Sequence, residues 1–163
     1  MDHRSIMPAT EADQSEIFRL YRSQLGREFC AWNEFYPGEE EIRGDLARNA
    51  LFVMKTESGK IVAAISIDQD ENVDRLSCWR EDLKPAGELA RLAVAPDFQN
   101  RGLAREMLLY GIRELTRRGY KSVHFLVNQY NVKALRSYAA LKVPKVGECY
   151  LYEQPFWCYE KEL

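Results

Sequence analysis

The chain has 163 residues, 46% of them hydrophobic and 29% charged, with a formal net charge of -2. That balance fits one globular domain, residues 1–163, and excludes a disordered chain. It lacks the basic excess of a nucleic-acid binder, and no apolar run reaches the ~20 residues that a membrane span needs. No apolar stretch follows Met1, so no secretory leader is expected, and the cytoplasm is the expected location. Cys30, Cys78, Cys149 and Cys158 form no Cys-x-x-Cys pair. Buried free thiols are expected from them, and no metal site.

Ser5 to Ala9 reads as a first strand. Thr10, with Asp13 three residues on, is a variant capping box. The helix it opens carries Ile17, Leu20, Tyr21 and Leu25 at helical spacing, with Gly26 as a stop. The next stretch, to Pro37, holds Phe29, Trp32, Phe35 and Tyr36 without a period and reads as a loop that packs or binds. Glu39 to Arg48 is a second helix. Leu51 to Lys55 and Ile61 to Ile67 are strands of a hairpin, joined by turn residues. Asp68 to Lys84 is polar and reads as a long variable loop around Trp79. Glu88 to Val94 is a fourth strand. Leu103 to Arg118 is the best amphipathic helix, with Met107, Leu108, Gly111 and Leu115 in its apolar stripe. Ser122 to Val127, a short helix from Asn131 to Leu141, and strands Lys145 to Tyr152 and Phe156 to Lys161 follow. The order β-α-α-β-β-β-α-β-α-β-β predicts a mixed α/β (α+β) domain with helices packed on a central sheet.

The segment Gln99-Asn100-Arg101-Gly102-Leu103-Ala104 joins the fourth strand to the strongest helix. The first amides of a helix lack intrahelical partners and carry the positive end of its dipole. Gly102 at the bend lets a pyrophosphate approach the backbone, Ala104 is small, and Arg101 and Arg105 add charge. The segment is neither a Walker A loop nor a dinucleotide fingerprint. Farther on, Asn131, Ala134, Leu135 and Tyr138 share one helix face. Asn131 also suits an N-cap.

The first segment resembles motif A of the GNAT superfamily of N-acetyltransferases, Q/R-x-x-G-x-G/A, and the second resembles that family's N-x-x-A-x-x-x-Y. The resemblance is clearest from Glu88 to Leu163. It implies a central sheet of about seven strands with helices on both faces, and acetyl-CoA as co-substrate. It implies that the backbone of Leu92, Ala93 and Val94 bonds the pantetheine arm. Gln99 and the amides of Asn100, Arg101, Gly102, Leu103, Ala104 and Arg105 would hold the pyrophosphate. Asn131 would contact the cofactor, and Tyr138 would protonate the leaving thiolate. Glu88 stands where histone-acetylating members carry a general base. One departure is Leu141-Lys142-Val143-Pro144, where the family has a Gly-Phe turn.

An alkylammonium must lose a proton before it attacks a thioester. Strand alternation puts Glu88 on one face with Ala90, Leu92 and Val94, where an apolar setting would raise its pKa. His124 is a second candidate base. The regions expected to receive the acceptor hold Trp32, Phe35, Tyr36, Trp79, Tyr150, Tyr152, Phe156 and Trp157. They also hold Glu28, Glu34, Glu39, Glu40, Glu41, Asp68, Asp70 and Glu71. Aromatics with acids suit a small cationic amine. A peptide or protein amine is the second reading, and a non-catalytic acyl-CoA-binding regulatory module the third. Neither nucleic acid nor membrane is an expected partner, and the chain is expected as a monomer or homodimer.

Overall fold

The computed structural model describes residues 3–27 and 30–163. Seven strands form one mixed sheet in the order β1-β2-β3-β4-β5-β7-β6. They are β1 (Arg4–Pro8), β2 (Leu51–Thr56), β3 (Ile61–Asp68), β4 (Ala86–Val94), β5 (Ser122–Asn128), β6 (Lys145–Leu151) and β7 (Gln154–Glu162). The β4–β5 pair is parallel and the others are antiparallel. One face is covered by α1 (Gln14–Arg22) and α2 (Glu39–Ala47), the other by α4 (Leu103–Arg117) and α5 (Val132–Ala140). The expected sheet with helices on both faces is therefore present.

Local chemistry explains the elements. The Thr10 amide donates to the Asp13 carboxylate at 2.9 Å, which closes the start of the first helix, and Lys55 holds the other oxygen. This helix ends at Arg22, before the expected Leu25, and Gly26 takes a positive φ in the turns that follow. The α4 stripe Leu103, Met107, Leu108 and Leu115 is buried. Gly111 is forced in that stripe, because a Cβ there would lie 2.7 Å from a Leu89 methyl.

Two expectations need correction. Residues 68–84 are not a loose loop. They contain a one-turn helix, α3 (Glu71–Asp74), and a 3-10 turn at Glu81–Leu83. Val73, Trp79 and Leu83 are buried, so this segment packs onto the α1/α2 face of the sheet. A polar sequence hid it because its apolar anchors fall at irregular intervals.

The second correction concerns β4. Ala93 pairs with Ala64 and Ala90 with Ser66, so two β4 residues, Arg91 and Leu92, stand opposite Ile65 alone. Arg91 adopts φ 51, which accommodates the extra residue. The bulge breaks strict alternation. Glu88 shares its face with Ala90 and Ala93, while Leu89 and Val94 point to the opposite face.

The Arg91 guanidinium holds the bulge. It donates to Asp45 at 2.8 and 3.1 Å, to Asp68 at 2.9 Å and to the Tyr36 hydroxyl at 3.2 Å. Asp45 also accepts from Ser66 at 2.7 Å and from Arg48. One buried network thus ties α2, β3, β4 and the aromatic loop together.

Candidate active site

The sheet forks between β4 and β5. They pair at Ala86–Ser122, Gly87–Val123 and Glu88–His124, yet β4 runs on to Val94 and β5 to Asn128. Past Glu88 the strands separate, which leaves a wedge open to an extended ligand. The Ala95 amide donates to Val62 on the β3 side at 2.8 Å, so the Val94 carbonyl of the same planar peptide faces the wedge. It accepts from the side-chain amides of Gln24 at 2.9 Å and Gln99 at 3.1 Å. Gln99 in turn accepts from Arg27. Leu92 packs against the α4/α5-face cluster and Ala93 is buried on the α1/α2 face.

At the end of this strand lies the helix start. Asn100 and Gly102 have φ of 62 and 79, and Gly102 is the N-cap of α4. The first helical bond runs from the Glu106 amide to the Gly102 carbonyl at 3.1 Å. The amides of Leu103, Ala104 and Arg105 precede it, so helix geometry leaves them free to bind outward. Among the described residues no side chain caps this end, and a Cβ on Gly102 would meet nothing within 4 Å. Arg101 lies over the Phe98 ring at 5.1 Å, and Arg105 is exposed. An open helix start with cationic flanks is a seat for phosphate oxygens.

The second half of the site is α5. Asn131 is its N-cap, with its side-chain oxygen accepting from the Ala134 amide at 3.1 Å. Tyr138 is 8% exposed and stacks on Phe125 of β5 at 4.4 Å and on Tyr159 of β7 at 5.9 Å. Burial raises its pKa, so the phenol keeps its proton at neutral pH. Lys142, in the segment that departs from the family pattern, has φ 57. It adopts the left-handed conformation that a glycine would give, so the turn forms without one.

Glu88 lies at the crotch of the fork, on the face opposite Tyr138. It is 6% exposed, and its Oε1 has no hydrogen-bond partner. Burial, then Asp68 and Asp70, push its pKa up to about 9. Such a value lies close to that of an alkylammonium, which suits proton exchange with one. His124, its register partner on β5, is 1% exposed and stacks on Trp79 at 4.4 Å. Burial, then Lys84, bring its pKa down to about 4, which makes it a poor base at neutral pH.

Several acceptor-side candidates are already engaged. Asp68 is held by Arg91, Glu41 caps the Gly38 amide at 3.0 Å, and Glu71 pairs with Arg75. Trp79 is packed, and Trp157 lies under Lys145. Tyr150 and Tyr152 are exposed. Glu28 lies outside the described residues. Sequence reasoning missed Arg91, Asp45, Gln24 and Arg27. Arg91 did leave a signal: a charge inside the otherwise apolar run Leu89 to Val94.

A family model described as the acetyltransferase (GNAT) family matches residues 14–142. The chain belongs to the GNAT acetyltransferase family. No curated protein sequence matches it. Among solved structures, a GNAT-family acetyltransferase from Streptococcus agalactiae 2603 is similar, at TM-score 0.79 and 19% identity, covering 98% of this chain and 95% of that one. The ribosomal-protein-alanine N-acetyltransferase of Brucella melitensis has TM-score 0.77 and 19% identity, covering 98% and 99%. The yncA protein of Salmonella typhimurium, solved with its cofactor acetyl-CoA, has TM-score 0.73 and 18% identity, covering 99% and 94%. At these identities the likeness is one of fold. The GNAT wedge and helix start in this chain fit an elongated ligand that carries a pyrophosphate.

Proposed function

We propose that the chain transfers the acetyl group of acetyl-CoA to a primary amine, by direct attack in a ternary complex. The observation that carries this reading is the β4–β5 fork leading into the uncapped helix start at Gly102. Acetyl-CoA supplies the activated acyl group as a thioester. The amides of Gly102 to Arg105 would hold its phosphates, and the Val94 carbonyl offers the arm a strand-like hydrogen bond in exchange for Gln24 and Gln99.

The proton chemistry follows from Glu88 and Tyr138. Burial keeps the Glu88 carboxyl protonated at neutral pH. An ammonium bound beside it favours the carboxylate, which can then take the ammonium proton as the nitrogen attacks. Tyr138, across the sheet, keeps a phenolic proton for the leaving sulfur.

Support for a small cationic acceptor comes from the acids at the fork. Asp68 is neutralised by Arg91 and Arg48, but Asp70 and Asp74 have no Lys or Arg partner among the described residues. These two carboxylates give the mouth beside Glu88 a negative potential. A peptide amino terminus is the second reading, favoured by likeness to the Brucella melitensis enzyme. Thiol release from acetyl-CoA, measured over a panel of small amines and amino-terminal peptides, tests the proposal. Turnover of small cationic amines is the expected result. Turnover of peptides alone would move the acceptor to the second reading. Acetyl-CoA binding without any turnover would indicate a regulatory acyl-CoA-binding module.

A further inference from the structure

The acids near Glu88, namely Asp68, Asp70 and Asp74, come from one short piece of chain, and acetyl transfer itself needs only Glu88. Asp70 caps α3, with its Oδ1 accepting from the Asn72 amide at 2.9 Å. Its Oδ2 accepts from the hydroxyl of Tyr152, at the β6–β7 turn, and the Asn72 side chain donates to that hydroxyl at 3.3 Å. Asp74, at the other end of α3, places Oδ1 3.4 Å from Nε2 of His124 on β5. Glu88 is the register partner of both Asp68 and His124. The α3 segment therefore reaches from Tyr152 at one end to His124 at the other, and Asp68, just before it, pairs with Glu88.

A group of acids alone is often a solvated surface. Here a second observation points to a ligand. Glu88 is 6% exposed and His124 1% exposed, yet Oε1 of Glu88 and Nδ1 of His124 have no hydrogen-bond partner among the described residues. Buried polar atoms are rarely left unpartnered unless something else completes them. Among the nearby cations, Arg91 is committed to Asp45 and Asp68, and Lys84 pairs with Glu81 at 2.8 Å while still acting on Asp74. The carboxyls also feel one another, since burial and then Asp70 raise the pKa of Asp74. The shallow half, Asp70 and Asp74, carries the negative charge, and the deep half offers an unpartnered carboxyl oxygen.

We propose that the acceptor is a diamine, whose reacting nitrogen sits at Glu88 while a second ammonium is held by Asp70 and Asp74. This rests on the acetyltransferase reading and names its substrate class. One carboxylate is enough to take the proton of the attacking nitrogen. The shallow pair then recognises the far ammonium, with the Tyr152 hydroxyl fixing the orientation of Asp70. A monoamine of the same length fills the deep half and leaves Asp70 and Asp74 unmatched.

The test compares 1,4-diaminobutane with 1-aminobutane as acceptors, by thiol release from acetyl-CoA. The diamine is expected to show kcat/KM about tenfold higher, the effect of a partly exposed ammonium between two carboxylates. In Asp74→Asn and Asp70→Asn the diamine-to-monoamine ratio should fall toward one, chiefly through KM. Asn also caps helices, so the second variant keeps the α3 start. The ratio should shrink with added salt as well. Equal kcat/KM for the two amines in the wild-type protein would overturn the diamine proposal and leave acetyl transfer standing. A second arm needs no turnover. The protein has two histidines, His3 and His124, so 15N-histidine labelling isolates the His124 ring. Its signals should saturate at lower concentrations of 1,4-diaminobutane than of 1-aminobutane. Identical responses would also overturn the proposal, even for a protein that fails to transfer acetyl at all.

Discussion

The two faces of the sheet at the fork are built from opposite chemistry. On the α4/α5 side the buried side chains are Leu89, Val94, Leu103, Met107, Phe125 and their neighbours, with Tyr138 and Tyr159 as the polar tips. On the other side lie the buried ionisable side chains: Asp45, Glu88, Arg91, His124 and Glu160. Register pairing sets four ionisable side chains in one row, Asp68–Glu88–His124–Glu160, across β3, β4, β5 and β7. The comparison teaches a division of labour. A dry face and an open helix start can position a long cofactor and hold the Tyr138 phenol, while the other side holds Glu88 and the acids around it.

The largest expected effect breaks the apolar side at its single reactive group. Tyr138→Phe keeps the ring stack and deletes the hydroxyl. Under the acid role, kcat falls by about 10²- to 10⁴-fold while acetyl-CoA affinity is unchanged, as steady-state kinetics and calorimetry would report. A fall in kcat of less than about tenfold would leave Tyr138 as a packing residue.

Next is the polar side. Asp45→Ala leaves the Arg91 guanidinium buried without its main partner, and should lower stability by about 3–5 kcal/mol in urea unfolding. A loss below about 1 kcal/mol would mean that water replaces Asp45 and that the network does not hold the bulge.

Glu88 sharpens the comparison through pH. Its folded pKa of about 9 lies above the ordinary value of 4.5, so the folded protein retains a proton that the unfolded chain releases. Its stability contribution is fully present below 4.5 and is lost as pH rises toward about 9. Glu88→Gln removes that slope, so the variant should gain stability relative to wild type across the window. Parallel unfolding curves at all pH values would show that Glu88 is not desolvated. The smallest effect belongs to the helix start: Gly102→Ala meets no neighbour but strains φ 79, and should lower stability by about 1–2 kcal/mol.

Much of the cofactor side was legible in the sequence because its signals are local. Gly102 follows a strand and opens an amphipathic helix, and Asn131 precedes Tyr138 by two turns. The polar side was legible only in part, because its determinants are distant in sequence. The bulge at Arg91 depends on Asp45 and Asp68, 46 and 23 residues away, and no periodicity announces it. That bulge is why strict alternation misplaced Glu88 relative to Leu92 and Val94. The packing of residues 68–84 was hidden for a similar reason: Trp79 is anchored by His124, which lies on β5. Lys142 shows the reverse case, where a glycine signal is missing and the turn forms anyway.

The most direct test of the central claim is calorimetric titration of the folded protein with acetyl-CoA, with Gly102→Glu beside it. Micromolar binding to the wild-type chain is expected, with its loss in the variant, where a carboxylate would stand in the proposed phosphate site. Absence of binding to well-folded wild-type protein would contradict that claim, and would reduce the fork and the helix start to features of packing.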